Sequence, residues 1–579
     1  MKKGLNVLLA LVLTLTGCAS QSATTSQKEV ADVVVLDAKV YTQDENNTIA
    51  EAFAVKDGKI TAVGNNDDVK QMIGDDTKVI EADGQVVMPS LIDAHTHPGT
   101  VSATAWYTAL PADVYTYDDI RSYIQNYLAE HSIEEQPYIY FEYYPSDLFD
   151  ENGPRKEWLD EISDRPILVE DFSDHACWVN SKFLELIGVY DLPEDTYGLD
   201  NFIKDETGDY TGWIKEGEWK KYIHNLYETL DFYPPEEITP EVISIMLDDL
   251  KEWGVTGVFD AFIENETHIA SVRQLDDEGK LNMNYDAAVM LPEYEMLDEI
   301  IDTIQMYDDT YGNDHITVDT IKIFYDGTNE LGNSALVDGT VQNPDDHGYL
   351  MMDLDQTKDT IRRANEAGLD VHFHLVGDLA FRNVCDATEE LLNELGSLDI
   401  QVEVCHAELV NEVDYDRPAQ LGIIVNWTPH WSGGYFGDAA LQYLGQERYD
   451  SMYQFNPMIE SGAIVTFGSD VYSMYEENRA NPYFGMQTAM TRVDIEIPLE
   501  SGMRESASAK LSMENLFKGY TIQAAKQLRI DDKVGSLEIG KDANFNMYVS
   551  TLFETNEDEV KDILPTVRYF EGKEMEESL

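Results

Sequence analysis

The chain has 579 residues, 43% of them hydrophobic, which is ample for a sizeable core. Acidic residues number 111 against 39 basic ones, and a formal charge of −72 should repel nucleic acid and anionic membrane surfaces, so charge draws the chain to neither. The acids run along the whole chain rather than in one tail, which reads as a solvated acidic surface.

Taken in chain order, Lys2-Lys3 precede an apolar stretch at 5–15, the pattern of an export signal and too short for an ordinary membrane span. Leu15-Thr16-Gly17-Cys18-Ala19 resembles a bacterial lipobox, which implies cleavage before Cys18 and a diacylglycerol on its sulfur. A plain signal peptide cut nearby is the alternative. The expectation is an extracytoplasmic lipoprotein, held to the bacterial cell membrane only by its lipid anchor. Residues 1–18 are the signal and lipobox, and 19–29, rich in Ser, Thr, Ala and Gln, read as a flexible tether.

Residues 30–85 alternate short β-rich runs (31–36, 52–55, 60–63) with turns, and Asp57-Gly58 is a hairpin signal. The end of the chain, 531–579, has the same character, so the two ends are expected to build one small β-sandwich domain. Between them, strand-like runs at 86–92, 255–260, 320–324, 371–374, 402–406, 423–426 and 463–467 alternate with helical stretches such as 357–367 and 386–395. Strands alternating with helices favour a parallel α/β sheet. Polar residues recur at the strand ends, where a (β/α)8 TIM-like barrel carries its active site, so 86–530 is expected to be that barrel. Residues 105–250 are too long for a simple barrel loop and read as a large insertion after the first strand. Neither an internal repeat nor a dinucleotide fingerprint is present. Cys177, Cys385 and Cys405 suggest no disulfide framework and read as buried small hydrophobes. Cys405 neighbours His406, and strand alternation predicts opposite faces for the two.

Chemistry concentrates at strand ends. Asp93-Ala94-His95-Thr96-His97-Pro98 closes an apolar run, and side chains at i and i+2 of a strand share a face. His95 and His97 therefore aim two imidazoles into one space, as a divalent metal such as zinc requires. A His-x-His also occurs by chance near turns, so the other strand ends matter. They supply Lys322, His374, His406 and Asp470, in the order His-x-His, Lys, His, His, Asp. Asp470 can equally be a helix N-cap. His372 shares a strand face with His374 and competes for the same duty.

At this point the chain resembles the amidohydrolase superfamily, specifically amidohydrolase family 3, which includes N-substituted formamide deformylases. The resemblance extends to the His-x-x-Trp-x-Asn-Ser segment at 175–181, the Thr-Gly-x-x-x-Glu element at 211–216 and the closing signature at 535–543, and it covers 30–575. It implies one or two divalent metals, commonly Zn2+. By the same resemblance, His95 and His97 bind the more buried metal, and His374 and His406 the second. Asp470 contacts metal and the nucleophilic water, and shuttles a proton to the leaving amine, work a carboxylate within hydrogen-bond reach can do. Lys322 lies in an apolar strand, where an unpaired ammonium is costly. Carboxylated, it would bridge two metals; the alternative is an ordinary lysine paired with Asp326 or with substrate. The family pattern His-x-x-Gly-Asp selects His374 over His372. Two departures stand out: Leu379 replaces the usual arginine, and Cys405-His406 lacks the commoner Arg-x-Glu-His form. His175 and His430 are the substrate-side candidates, and Trp106, Tyr107, Phe141, Tyr143 and Trp178 are either pocket lining or core.

The expected function is metal-dependent hydrolysis of the C–N bond of a small-molecule amide or N-substituted formamide, with metal-activated water and Asp470 as proton shuttle. The same centre could serve a cyclic-amide hydrolase, a deaminase or an esterase. A non-catalytic solute-binding lipoprotein is the rival from another class. The resemblance also implies a homodimer as the assembly to test.

Overall fold

The structure, a computed structural model, describes residues 30–575 apart from 105–107, 112–113, 115, 135, 146–147, 150–151, 172–174, 233–237, 434–437 and 497–501. The signal segment, Cys18, the tether, Trp106 and Tyr107 thus lie outside the described residues.

Eight parallel strands form a barrel: β1 (Leu91–Thr96), β2 (Val255–Asp260), β3 (Asn284–Leu291), β4 (Ile316–Phe324), β5 (Asp370–Leu375), β6 (Val402–His406), β7 (Ile424–Trp427) and β8 (Val465–Phe467). Each pairs in parallel register with its neighbour in sequence, for example Lys322 opposite His372 and His374 opposite Cys405. All six residues of β1, β2 and β5 are buried, because helices cover the outside and side chains fill the inside. The β3 strand has no counterpart among the sequence-predicted strands. Its polar Asn284 and Asp286 break the apolar run, yet both are buried in the barrel.

The helices carry legible punctuation. Asp353 and Gln356 form a capping box at the start of the helix Leu354–Ala367, and Gly368 ends it in a left-handed conformation. The helix Asp378–Leu395 stops the same way at Gly396.

Two further sheets lie outside the barrel, and one of them combines the chain ends. One orders strands Lys59–Gly64, Ala52–Lys56, Val33–Leu36 and Lys78–Glu81, with Asp57 and Gly58 at φ +50° and +78° as a hairpin turn requires. In the other, Val86–Pro89 pairs antiparallel with Phe545–Tyr548, so N- and C-terminal segments share one hydrogen-bonded ladder and one apolar core. The inserted region forms its own six-stranded sheet, from Thr108–Ala109 to Tyr210–Lys215, with two apolar clusters of its own. Phe141 and Trp178 are fully buried in one of them and are core rather than pocket lining. Cys177, Cys385 and Cys405 are free and buried. Among the described residues, no helix is long and apolar enough to cross a membrane.

His315, just ahead of β4, ties the barrel to the C-terminal sheet: its ring nitrogens lie 2.8 Å from Asp276 and 3.1 Å from Glu571. The bond to Glu571, with help from Asp276 and against burial, raises His315 to about 9. Because the folded pKa exceeds the unfolded value, the stabilisation is complete below the ordinary histidine pKa and disappears as pH rises through the folded one. His315→Gln should therefore cost about 1 kcal/mol at about pH 6, a value suited to a partly exposed pair, and almost nothing at about pH 10. Urea unfolding at the two pH values checks this, and an equal loss at both would show that the ion pairs contribute nothing.

Candidate metal centre

The first and last barrel strands meet where the chemistry lies. Asp93 and His95 project from the same face of β1, and His97 follows as the residue preceding the short helix Pro98–Ala103. Beyond β8, the backbone N–H of Asp470 donates to the carbonyl of His95 at 2.8 Å, and that of Ser469 donates to Asp93 Oδ1 at 3.0 Å. Gly468 has no side chain for a physical reason: a Cβ there would sit 2.5 Å from the Cβ of His95. The carbonyl of Ala94, which no ladder across this seam serves, accepts from Asn426 at 3.2 Å and Gln527 at 2.9 Å.

This seam brings the carboxylate of Asp470 among the histidines. Its Oδ1 lies 3.2 Å from His95 Nε2 and 3.1 Å from His97 Nε2, and its Oδ2 lies 3.4 Å from His406 Nδ1. The His374 ring stands 4.6 Å from that of His406. Lys322 Nζ, 1% exposed, is 3.4 Å from His95 Nε2. The structure thus gathers His95, His97, Lys322, His374, His406 and Asp470. Asp326, the sequence-level partner considered for Lys322, instead accepts the backbone N–H groups of Ala335, Val376 and Gly377. Among the described residues no carboxylate forms an ion pair with Lys322.

Burial keeps the imidazoles neutral, pushing His95 down to about 3 and His374 and His406 well below their ordinary value. Burial disfavours the carboxylate of Asp470, yet the surrounding His95 and His406 and the bonds from His95 and His97 outweigh it and hold the group well below its usual range. Neutral imidazoles around an ionised carboxylate are the donor set of a divalent metal. The fit is supported by atoms that lack hydrogen bonds: buried His374 Nε2, His406 Nδ1 and His97 Nδ1 have none. Two groups, His95/His97/Asp470 and His95/Cys405/His406, each present ligand atoms within 4.8 Å of one another.

Sequence reasoning missed a buried relay behind His95. His372 Nε2 is 2.9 Å from His95 Nδ1, and its Nδ1 is 2.6 Å from Glu403 Oε2. His372 is therefore placed to orient His95 rather than to compete with His374. Burial pushes Glu403 up. If His95 were to bind a metal through Nε2, its Nδ1–H would donate to His372 Nε2 and the His372 Nδ1–H to Glu403. Cys405 was also misplaced by strand alternation: its Sγ lies 3.4 Å from Lys322 Nζ, on the site side. The backbone turns left-handed at His406 (φ +70°) and Ala407 (φ +39°), which breaks the period-two pattern and leaves both Cys405 and His406 facing the centre.

The substrate-side candidates take different positions. His175, from the inserted region, sits 5.4 Å ring to ring from His374, with Nδ1 3.0 Å from Glu216, which in turn accepts from Asn333 at 2.6 Å. Burial opposes protonation of His175, but Glu216 and Asp171 raise its pKa. His430 donates from Nε2 to the carbonyl of Ser469 at 2.8 Å and so braces the residue before Asp470. Beside His97 lies a cavity of about 250 Å³, lined among others by Glu142, Glu170, Lys220, Glu264 and Tyr472. The Tyr472 ring stands 5.7 Å from that of His97.

A barrel that converges four histidines, a lysine and an aspartate at its strand ends is the scaffold of a metal-dependent hydrolase. The chain belongs to the amidohydrolase family, whose model matches residues 78–575. It is 25% identical over 448 residues to the exoenzymes regulatory protein AepA of Pectobacterium carotovorum subsp. carotovorum, covering 75% of this chain and 93% of that protein. It is 24% identical over 534 residues to the N-substituted formamide deformylase of Arthrobacter pascens, covering 89% and 93%. Among solved structures, an uncharacterized metal-dependent hydrolase from Pyrococcus horikoshii OT3 shares the fold, with a TM-score of 0.65 at 20% identity over 91% of this chain and 99% of that one.

The relay makes a measurable claim. His372→Phe should weaken metal binding about 10- to 100-fold in a chelator competition while leaving the circular dichroism spectrum intact. Unchanged affinity would show that His95 is held by the strand alone.

Proposed function

We propose that this protein hydrolyses the C–N bond of a small-molecule amide, with N-substituted formamides as the favoured substrate class. The observation that carries the reading is Asp470, whose two oxygens reach His95 and His97 on one side and His406 on the other. A receptor needs ligands but has no use for a carboxylate placed to relay protons. Its 13% side-chain exposure leaves it accessible from the barrel mouth. The likeness to a formamide deformylase supports the substrate class, and the cavity beside His97 supports a small molecule.

His95, His97, His374, His406 and Asp470 would hold one or two divalent ions, with zinc as the proposed metal. When bound, such an ion supplies the positive charge that polarises a carbonyl and acidifies water. Asp470 accepts the proton of the attacking water and returns it to the departing nitrogen. His175, whose Nδ1 lies 3.0 Å from Glu216, is placed to donate a hydrogen bond to the substrate carbonyl. Lys322, if carboxylated, would add an anionic donor to this set. Two metal equivalents per chain would support that form, and a single equivalent with full activity would demote it. We also propose that Cys18 carries the lipid anchor outside the cytoplasm. Incorporation of labelled fatty acid in the bacterial host should be lost in Cys18→Ser, and labelling that survives would refute the anchor.

Asp470→Asn should lower turnover of a formamide or amide panel by about 10²–10⁴-fold or more with the fold retained. Chelation should abolish wild-type activity, and Zn2+ should restore it. Undiminished turnover in Asp470→Asn removes the proton shuttle, whereas a protein that neither binds metal nor hydrolyses any substrate favours the solute receptor.

A further inference from the structure

The imidazoles and Asp470 leave one further side chain at the centre without a role. Cys405 is fully buried, its Sγ is 3.4 Å from Lys322 Nζ, and it forms with His95 and His406 one of the two groups whose ligand atoms converge within 4.8 Å. An independent feature points to a ligand at the same place: His406 Nδ1, buried, lacks a hydrogen bond. The carbonyl of Phe373, 3.3 Å from Sγ, is the thiol's acceptor within the chain.

We propose that Cys405 is a metal ligand, binding as a thiolate beside His406. The inference rests on the metal-centre reading above and adds a donor of different chemistry to it. Metal binding forms the S–metal bond and breaks the S–H bond, and the proton leaves to solvent. A sulfur donor makes the site softer. The centre should then prefer Zn2+ over the hard ions Mg2+ and Mn2+, which oxygen-rich sites select.

Cobalt distinguishes the donors, because a thiolate bound to Co2+ gives an intense near-ultraviolet charge-transfer band that imidazole and carboxylate do not. The full chain loaded with Co2+ should show this band. The Cys405→Ser variant should lose it while its remaining cobalt still shows the weaker visible bands. Cys177→Ser and Cys385→Ser, whose thiols lie away from the centre, should keep it, and they provide the comparison if Cys405→Ser fails to fold. Cobalt uptake by the wild type without a charge-transfer band overturns the thiolate ligand and leaves the hydrolase reading intact. A band that survives in Cys405→Ser overturns it as well. Absence of any cobalt uptake overturns both.

Discussion

The whole centre depends on one backbone contact, the bond from the Asp470 N–H to the carbonyl of His95. It joins the end of the last barrel strand to the end of the first, where no ladder pairing closes the cylinder. Everything around it is arranged so that the two strand ends can approach. Gly468 offers no Cβ, Asp93 accepts the N–H groups of His95 and Ser469, and Asn426 and Gln527 satisfy the Ala94 carbonyl. A carboxylate and two imidazoles separated by hundreds of residues are thereby fixed within hydrogen-bonding distance. Such fixed geometry is what a metal site needs, since a ligand displaced by an ångström no longer converges.

Burial gives the centre its electrical character. The imidazoles are kept neutral by removal from water, so they offer lone pairs rather than charge. Interactions that include hydrogen bonds from His95 and His97 outweigh burial and hold Asp470 well below the usual carboxylate range. The relay from His95 through His372 to Glu403 extends this control one layer deeper into the barrel. Outside, an acidic surface raises the local concentration of cations and keeps the protein soluble. The inside thus presents neutral donors and one anion, in a body whose exterior favours the arrival of cations.

The inserted region has a core of its own and can be elaborate without disturbing the barrel. It returns to the centre at a few anchored points. Lys215 donates to the carbonyl of Leu331, Asn333 holds Glu216, and Glu216 holds His175 beside His374. The barrel presents the candidate metal donors from its strand ends, and the insertion brings His175 to their edge. In barrels of this kind, the loops and insertions at the strand ends can vary while the barrel stays the same.

By itself, the sequence determined the barrel class, the pairing of chain ends into a β-domain, and the order His95, His97, Lys322, His374, His406, Asp470. Those features follow from local periodicity and from residue types at strand ends, which a linear chain displays. Strand β3 escaped notice because buried Asn284 and Asp286 interrupt its apolar run, and only the barrel interior explains their tolerance. Likewise the separate role of His372 required Glu403 from the neighbouring strand, a partner set by parallel register. Strand alternation also placed Cys405 wrongly, because the left-handed backbone at His406 and Ala407 breaks the alternation and leaves no mark in residue type. Which atoms face a metal, and which merely hold those atoms still, was decided in three dimensions, where register and backbone turns bring distant side chains to one point.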